Sequence, residues 1–98
     1  MIRSCIATAA ALSWAAAASV GAAEAPPGAS SCSGCHPAPA AQAQTPVPAL
    51  AGRDPEQIAS AMRAFRSGER SGTVMGRIAK GFSDDEVRAI AVWYGEQK

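Results

Sequence analysis

Apolar positions along this chain fall into three stretches of different character. The first, Ile6 through Val20, is an alanine-rich run carrying Leu12 and Trp14, with Arg3 before it and Gly21-Ala22-Ala23 after it. A positive start, a short apolar run and small residues at the −3 and −1 positions before Glu24 predict a Sec-type signal peptide over residues 1–23. An uncleaved membrane anchor fits less well. Alanine adds little transfer energy, and the run falls short of the ~20 strongly apolar residues that span a bilayer. Cys5, ahead of the apolar run, would leave with this segment.

The second and third stretches have helical period. Ile58, Ala61, Met62 and Phe65 share one face, behind a start signal of Asp54 as cap, Pro55 at the first helical position and Glu56 at the positive dipole end; Gly68 stops the helix. Val87, Ile90, Ala91 and Tyr94 share another face, behind the capping box Ser83-Asp84-Asp85-Glu86. Ahead of both, Pro26-Pro27-Gly28 is a flexible lead, and a short helical turn is expected over about 29–36. Residues 37–48 contain Pro37, Pro39, Pro46 and Pro48 and are read as a loop without regular helix, with a disordered linker as the alternative for 40–44. Gly72 to Gly76 also reads as loop. No two-residue alternation and no internal repeat occurs, so the expected fold is all-α: three main helices and loops in a single domain, 24–98.

Charge narrows the function. The 98 residues carry a formal net charge of +1, and without Arg3 eight basic side chains face eight acidic ones. No basic patch points to nucleic acid, and no apolar segment after residue 23 offers a membrane anchor. A domain this small rarely builds enough core to stand alone and usually needs a metal, disulfide or cofactor as staple.

Cys32-Ser33-Gly34-Cys35-His36 supplies a candidate staple. Two thiols two residues apart can add across the vinyl groups of a porphyrin, and the adjacent imidazole is then held under the iron. The pattern predicts one covalently attached haem c, with Cys32 and Cys35 as thioether sites and His36 as proximal ligand. Export agrees with this, because haem of this kind is attached outside the cytoplasm; the expected compartment is the bacterial periplasm. Two other uses of the pair compete. A thiol redox pair would want a strand–helix context that is missing here, and a zinc site lacks an evident fourth ligand.

The distal ligand follows by elimination. His36 is the only histidine, so a second imidazole from this chain is excluded. Met62 falls on the helical stripe and reads as core filler. Met75, between Thr73-Val74 and Gly76, can be aimed at the iron. His36/Met75 ligation raises the potential and fills both axial positions, which favours electron transfer over catalysis at the haem, and no catalytic residue is assigned. The other ring nitrogen of His36 should donate to a backbone carbonyl, with Pro48 as candidate. Arg70 and Arg77 are candidates for the haem propionates, while Trp93 and Tyr94 are expected to pack the last helix against the attachment helix.

The attachment motif, Pro48-Ala49-Leu50-Ala51-Gly52, Phe65 with Gly68-Glu69-Arg70, and Met75 together resemble a small class I cytochrome c. More narrowly, Thr73 through Ser83 resembles the axial-methionine segment of the cytochrome subunit of flavocytochrome c sulfide dehydrogenase. The resemblance spans about 30–96. It implies the same four haem residues and a flavoprotein partner that oxidises sulfide while the cytochrome removes the electrons. A freely diffusing carrier for another oxidoreductase or a terminal oxidase is the alternative. Two departures stand out: there is room for one haem where some members have two, and Pro37 follows the histidine where glycine is common.

Overall fold

The computed structural model describes residues 23–98; the expected signal peptide, apart from Ala23, lies outside the described residues. Four α-helices and one 3-10 helix follow in order: α1 Ala29–Ser33, the 3-10 helix Pro39–Gln44, α2 Pro55–Ser67, α3 Met75–Ala79 and α4 Asp84–Glu96. No strand occurs among the described residues, and none of their helices is long and apolar enough to cross a membrane.

The two long helices begin as their sequences dictate. In α2 the Asp54 carboxylate accepts from the Glu56 amide at 2.8 Å, Pro55 occupies the first turn, and Gly68 closes the helix at φ 84°. In α4 the box is reciprocal: Ser83 Oγ accepts from the Glu86 amide at 3.2 Å, and Glu86 Oε2 accepts from the Ser83 amide at 2.8 Å.

Two expectations are corrected. Residues 37–48 are not all loop, because Pro39–Gln44 form a 3-10 helix. Pro39 sits in its first turn, where no amide donor is needed, and Pro46 and Pro48 lie beyond its end, so Ala40–Gln44 are free to coil. Met75 is also not a loop residue but the first residue of α3, a single helical turn too short to show a period.

Helices α3 and α4 both pack on α2. The core gathers Ala29, Ile58, Ile90, Ala91 and Tyr94, with Cys32, Leu50, Phe82 and Trp93 packed against it. Tyr94 donates its hydroxyl to the Ala29 carbonyl at 2.6 Å, tying α4 to α1. Trp93, edge-on to Tyr94 at 4.8 Å, reaches past α1 and donates to the Ala23 carbonyl at 3.1 Å. At Gly28 the backbone has φ 87°, and a Cβ there would lie 2.7 Å from Phe82 Cε1, so glycine alone lets the lead into α1 cross Phe82. Arg66 of α2 holds the α3–α4 turn: Nη2 donates to the Phe82 carbonyl at 2.9 Å and Nη1 to Asp84 at 2.6 Å.

This core is thin. Five of the nine buried apolar residues are alanines, and each contributes far less than the ~1.5–3 kcal/mol of a buried leucine or isoleucine. Three of the four larger ones, Ile58, Val87 and Ile90, also line a cleft, so the core is open on one side.

Candidate haem cleft

The cleft has a volume of about 570 Å³, within the range of small-molecule and cofactor sites. The segment carrying α1 contributes Cys32, Cys35 and His36; the stretch after the 3-10 helix contributes Pro46, Val47, Pro48 and Leu50. From α2 come Met62 and Phe65, and from the α2–α3 segment Val74, Met75 and Ile78. Val74 and Ile78 are 52% and 40% exposed, which makes them an apolar lip where the cleft meets solvent.

His36 is oriented by the backbone. Its amide is bonded to the Cys32 carbonyl at 2.9 Å, continuing the turn of α1, and its Nδ1 lies 2.6 Å from the Pro48 carbonyl oxygen. A carbonyl only accepts, so Nδ1 carries the proton and Nε2 keeps its lone pair for a metal. Cys32 is half-buried and Cys35 exposed, both as free thiols. Burial pushes the Cys32 thiol up from its ordinary value, against a smaller opposing effect of a backbone hydrogen bond.

The structure brings Cys32, Cys35, His36, Pro48 and Met75 to one cleft and adds Met62, which faces it too rather than being core filler alone. Arg70 and Arg77 are not among the lining residues. Arg70 stacks its guanidinium over the Phe65 ring at 4.8 Å, and Arg77 is exposed on α3. A cation that does line the cleft is Arg53, whose Nε donates to the Ala49 carbonyl at 2.7 Å. Sequence reasoning also passed over Gln42, which binds the backbone on both sides of Pro48. Its place in an alanine–glutamine run carries no local signal. Among the described residues no three of His, Cys, Asp and Glu gather as a set able to hold a metal ion.

These residues fit a haem. The cleft is apolar, two thiols stand at one side of it, an imidazole has its donor nitrogen committed and its lone pair free, and two thioethers face the same space. A core left open onto this space is what a fold completed by a bound macrocycle requires.

The fold is all-α among the described residues and consistent with that of a small cytochrome c. The comparisons agree. The chain is 40% identical over 65 residues to the cytochrome subunit of sulfide dehydrogenase of Chlorobaculum tepidum, covering 66% of this chain and 58% of that protein. It is 42% identical over 98 residues to a thiosulfate dehydrogenase electron acceptor of Thiomonas intermedia, covering 95% of this chain and 42% of that one. The chain thus spans about half the length of these relatives. No family model matches it. It is a small cytochrome resembling the sulfide dehydrogenase subunit, and a cytochrome implies haem.

Proposed function

We propose that this chain is a periplasmic electron-transfer protein carrying one covalent haem c, exported by the leader over residues 1–23, and that it accepts electrons from a sulfide-oxidising flavoprotein. The observation that carries the reading is the apolar cleft lined by Cys32, Cys35, His36 and Met75, with the Nδ1 proton of His36 engaged by Pro48. Haem, when bound, supplies an Fe(III)/Fe(II) couple that takes up and releases single electrons.

The chain's own residues set the terms of that exchange. Cys32 and Cys35 tether the group through thioether bonds. His36 offers Nε2 to the iron, and its bond to Pro48 holds the ring plane and raises its basicity. Met75 would offer its thioether sulfur to the iron as a second ligand, which would leave no open position for a substrate; the chain carries electrons and does no chemistry of its own on sulfide. The apolar walls keep water from the iron, and Val74 and Ile78 mark the edge through which the electron passes. Arg53, the cation among the lining residues, is placed to pair with a haem carboxylate.

The name of the Chlorobaculum tepidum relative supports a sulfide-oxidising partner, in line with the resemblance of the 73–83 segment to such a subunit. The longer match, to an electron acceptor of thiosulfate dehydrogenase, favours a second reading: a diffusing carrier that serves a thiosulfate-oxidising dehydrogenase.

The test is expression with a haem-attachment system, followed by fractionation and denaturing electrophoresis. Haem should stay with the chain after denaturation in the periplasmic fraction and be lost in a Cys32→Ser/Cys35→Ser double variant. A chain that releases its haem on denaturation, or takes up none, would refute covalent attachment. Stopped-flow reduction by purified sulfide- and thiosulfate-oxidising dehydrogenases then separates the two donors.

A further inference from the structure

The peptide unit joining Pro48 to Ala49 is held at both ends by side chains. Its carbonyl oxygen, on Pro48, accepts from Nδ1 of His36 at 2.6 Å. Its N–H, on Ala49, donates to Oε1 of Gln42. The same Gln42 side chain reaches back across Pro48, and its Nε2 donates to the Val47 carbonyl at 3.1 Å. One amide therefore grips the peptide groups on both sides of Pro48, while Arg53 Nε holds the next carbonyl, that of Ala49, at 2.7 Å.

We propose that Gln42 is a positioning residue for His36, and that it sets the basicity of the imidazole through the Pro48–Ala49 peptide unit. The inference rests on the reading of His36 as an iron ligand. Three physical facts carry it. A peptide unit is planar and rigid, so fixing its N–H fixes the direction of its carbonyl. Proline already locks φ at this position, so the two peptide planes that Gln42 holds are the chief freedom left to the segment. Hydrogen bonds in a chain polarise one another: an amide whose N–H is engaged carries more negative charge on its oxygen and is the stronger acceptor. Gln42 thus draws the proton of His36 Nδ1 toward Pro48, which makes Nε2 the better donor to iron and favours Fe(III).

The position of Gln42 is built for this. It lies in the 3-10 helix Pro39–Gln44, is part-buried, and has both ends of its side-chain amide satisfied by backbone. A surface glutamine in an alanine-rich linker would have neither bond.

The experiment uses the haem-loaded chain and three readouts: midpoint potential, the His36 Nδ1–H proton resonance, and hydrogen exchange of the Ala49 amide. In Gln42→Ala, the Fe(II)/Fe(III) ratio at a fixed ambient potential should rise several-fold, the Nδ1–H resonance should move upfield, and Ala49 exchange should accelerate at least tenfold. Gln42→Glu gives Ala49 a charged, stronger acceptor and loses only the donor to Val47, so its Fe(II)/Fe(III) ratio should stay at or below the parent's, opposite to Gln42→Ala. If Gln42→Ala lowers thermal stability but leaves the potential and the Nδ1–H resonance in place, Gln42 is a structural tie only and the proposal fails. A potential that shifts while Ala49 stays protected also overturns it, because the effect then bypasses the peptide unit. Absence of haem from the parent chain overturns the functional reading itself, which is told apart from failure of the clamp in a haem-loaded protein.

Discussion

Tyr94 donates its hydroxyl to the carbonyl oxygen of Ala29 at 2.6 Å, across 65 residues of sequence. That bond joins the last helix to the turn that leads into Cys32, so the attachment motif is registered against the core at one buried point.

Removing it with Tyr94→Phe leaves a buried carbonyl without its partner, at a cost of about 1–2 kcal/mol, or a fall in Tm of roughly 4–16 °C for a domain of this size. Burial pushes the Tyr94 phenol above its ordinary value, so its contribution is fully present below the unfolded pKa of ~10 and fades as pH rises through the higher folded value. Denaturant titrations of the haem-loaded chain should show a steeper alkaline loss for the parent than for Tyr94→Phe. Equal slopes would mean the phenol is not a buried donor.

Two methionines line the cleft, and they should behave differently. Met75→Ala should keep the haem attached while converting the ferric spectrum from low to high spin and lowering the potential, since the thioether that favours Fe(II) is gone. Met62→Leu, which conserves volume, should leave spectrum and potential unchanged and cost under about 1.5 kcal/mol. The reverse pattern would move the ligand to α2.

Arg66 bonds both the Phe82 carbonyl and the Asp84 carboxylate. Asp84 is exposed, and exposed ion pairs contribute little, so Arg66→Ala should destabilise clearly more than Asp84→Asn. The hydrogen bond and charge of Arg66 hold the Asp84 carboxyl below the usual carboxylate range. Whatever the pair adds is therefore present above the unfolded pKa of ~3.9 and lost as pH falls through the lower folded value. Acid titrations of both variants check this; equal losses would show that the backbone bond is idle.

At Gly95 a Cβ would come within 2.8 Å of Pro55 Cγ and 2.9 Å of the Arg53 carbonyl oxygen. Neither neighbour is the end of a flexible side chain. Gly95→Ala should therefore destabilise by about 1–3 kcal/mol, although alanine is the better helix former by ~1 kcal/mol. A stabilised variant would show that α4 can move off the start of α2.

What could be read in advance followed the range of the forces involved. Helices α2 and α4 were legible because Asp54, Pro55, Gly68 and the Ser83–Glu86 box act within a few residues of themselves, and their apolar stripes repeat every turn. The Cys32–His36 motif is local in the same way, five consecutive residues. The 3-10 helix was not legible, since Ala40–Gln44 is held in place by what Gln42 reaches at Val47 and Ala49, and composition says nothing of that. Met75 at the head of a one-turn helix, Arg66 across the α3–α4 turn and Met62 facing the cleft all depend on how separate segments meet. Arg70 and Arg77, the expected cations, follow α2 and do not line the cleft, whereas Arg53, ahead of α2, lines it and holds a backbone carbonyl that no pattern of charges announces.

Most of the ties between segments share a grammar: a side chain gives the proton and the main chain receives it. His36, Gln42, Arg53, Arg66 and Tyr94 each end on a carbonyl of a distant or neighbouring segment. A substitution can delete a donor but never a backbone carbonyl. Mutational damage is therefore lopsided, concentrated in a handful of giving residues, while the receiving stretches are free to drift in side-chain identity so long as their path through space is kept. Relatives of this chain should vary more at Val47, whose carbonyl alone is used, than at Gln42, which points to it.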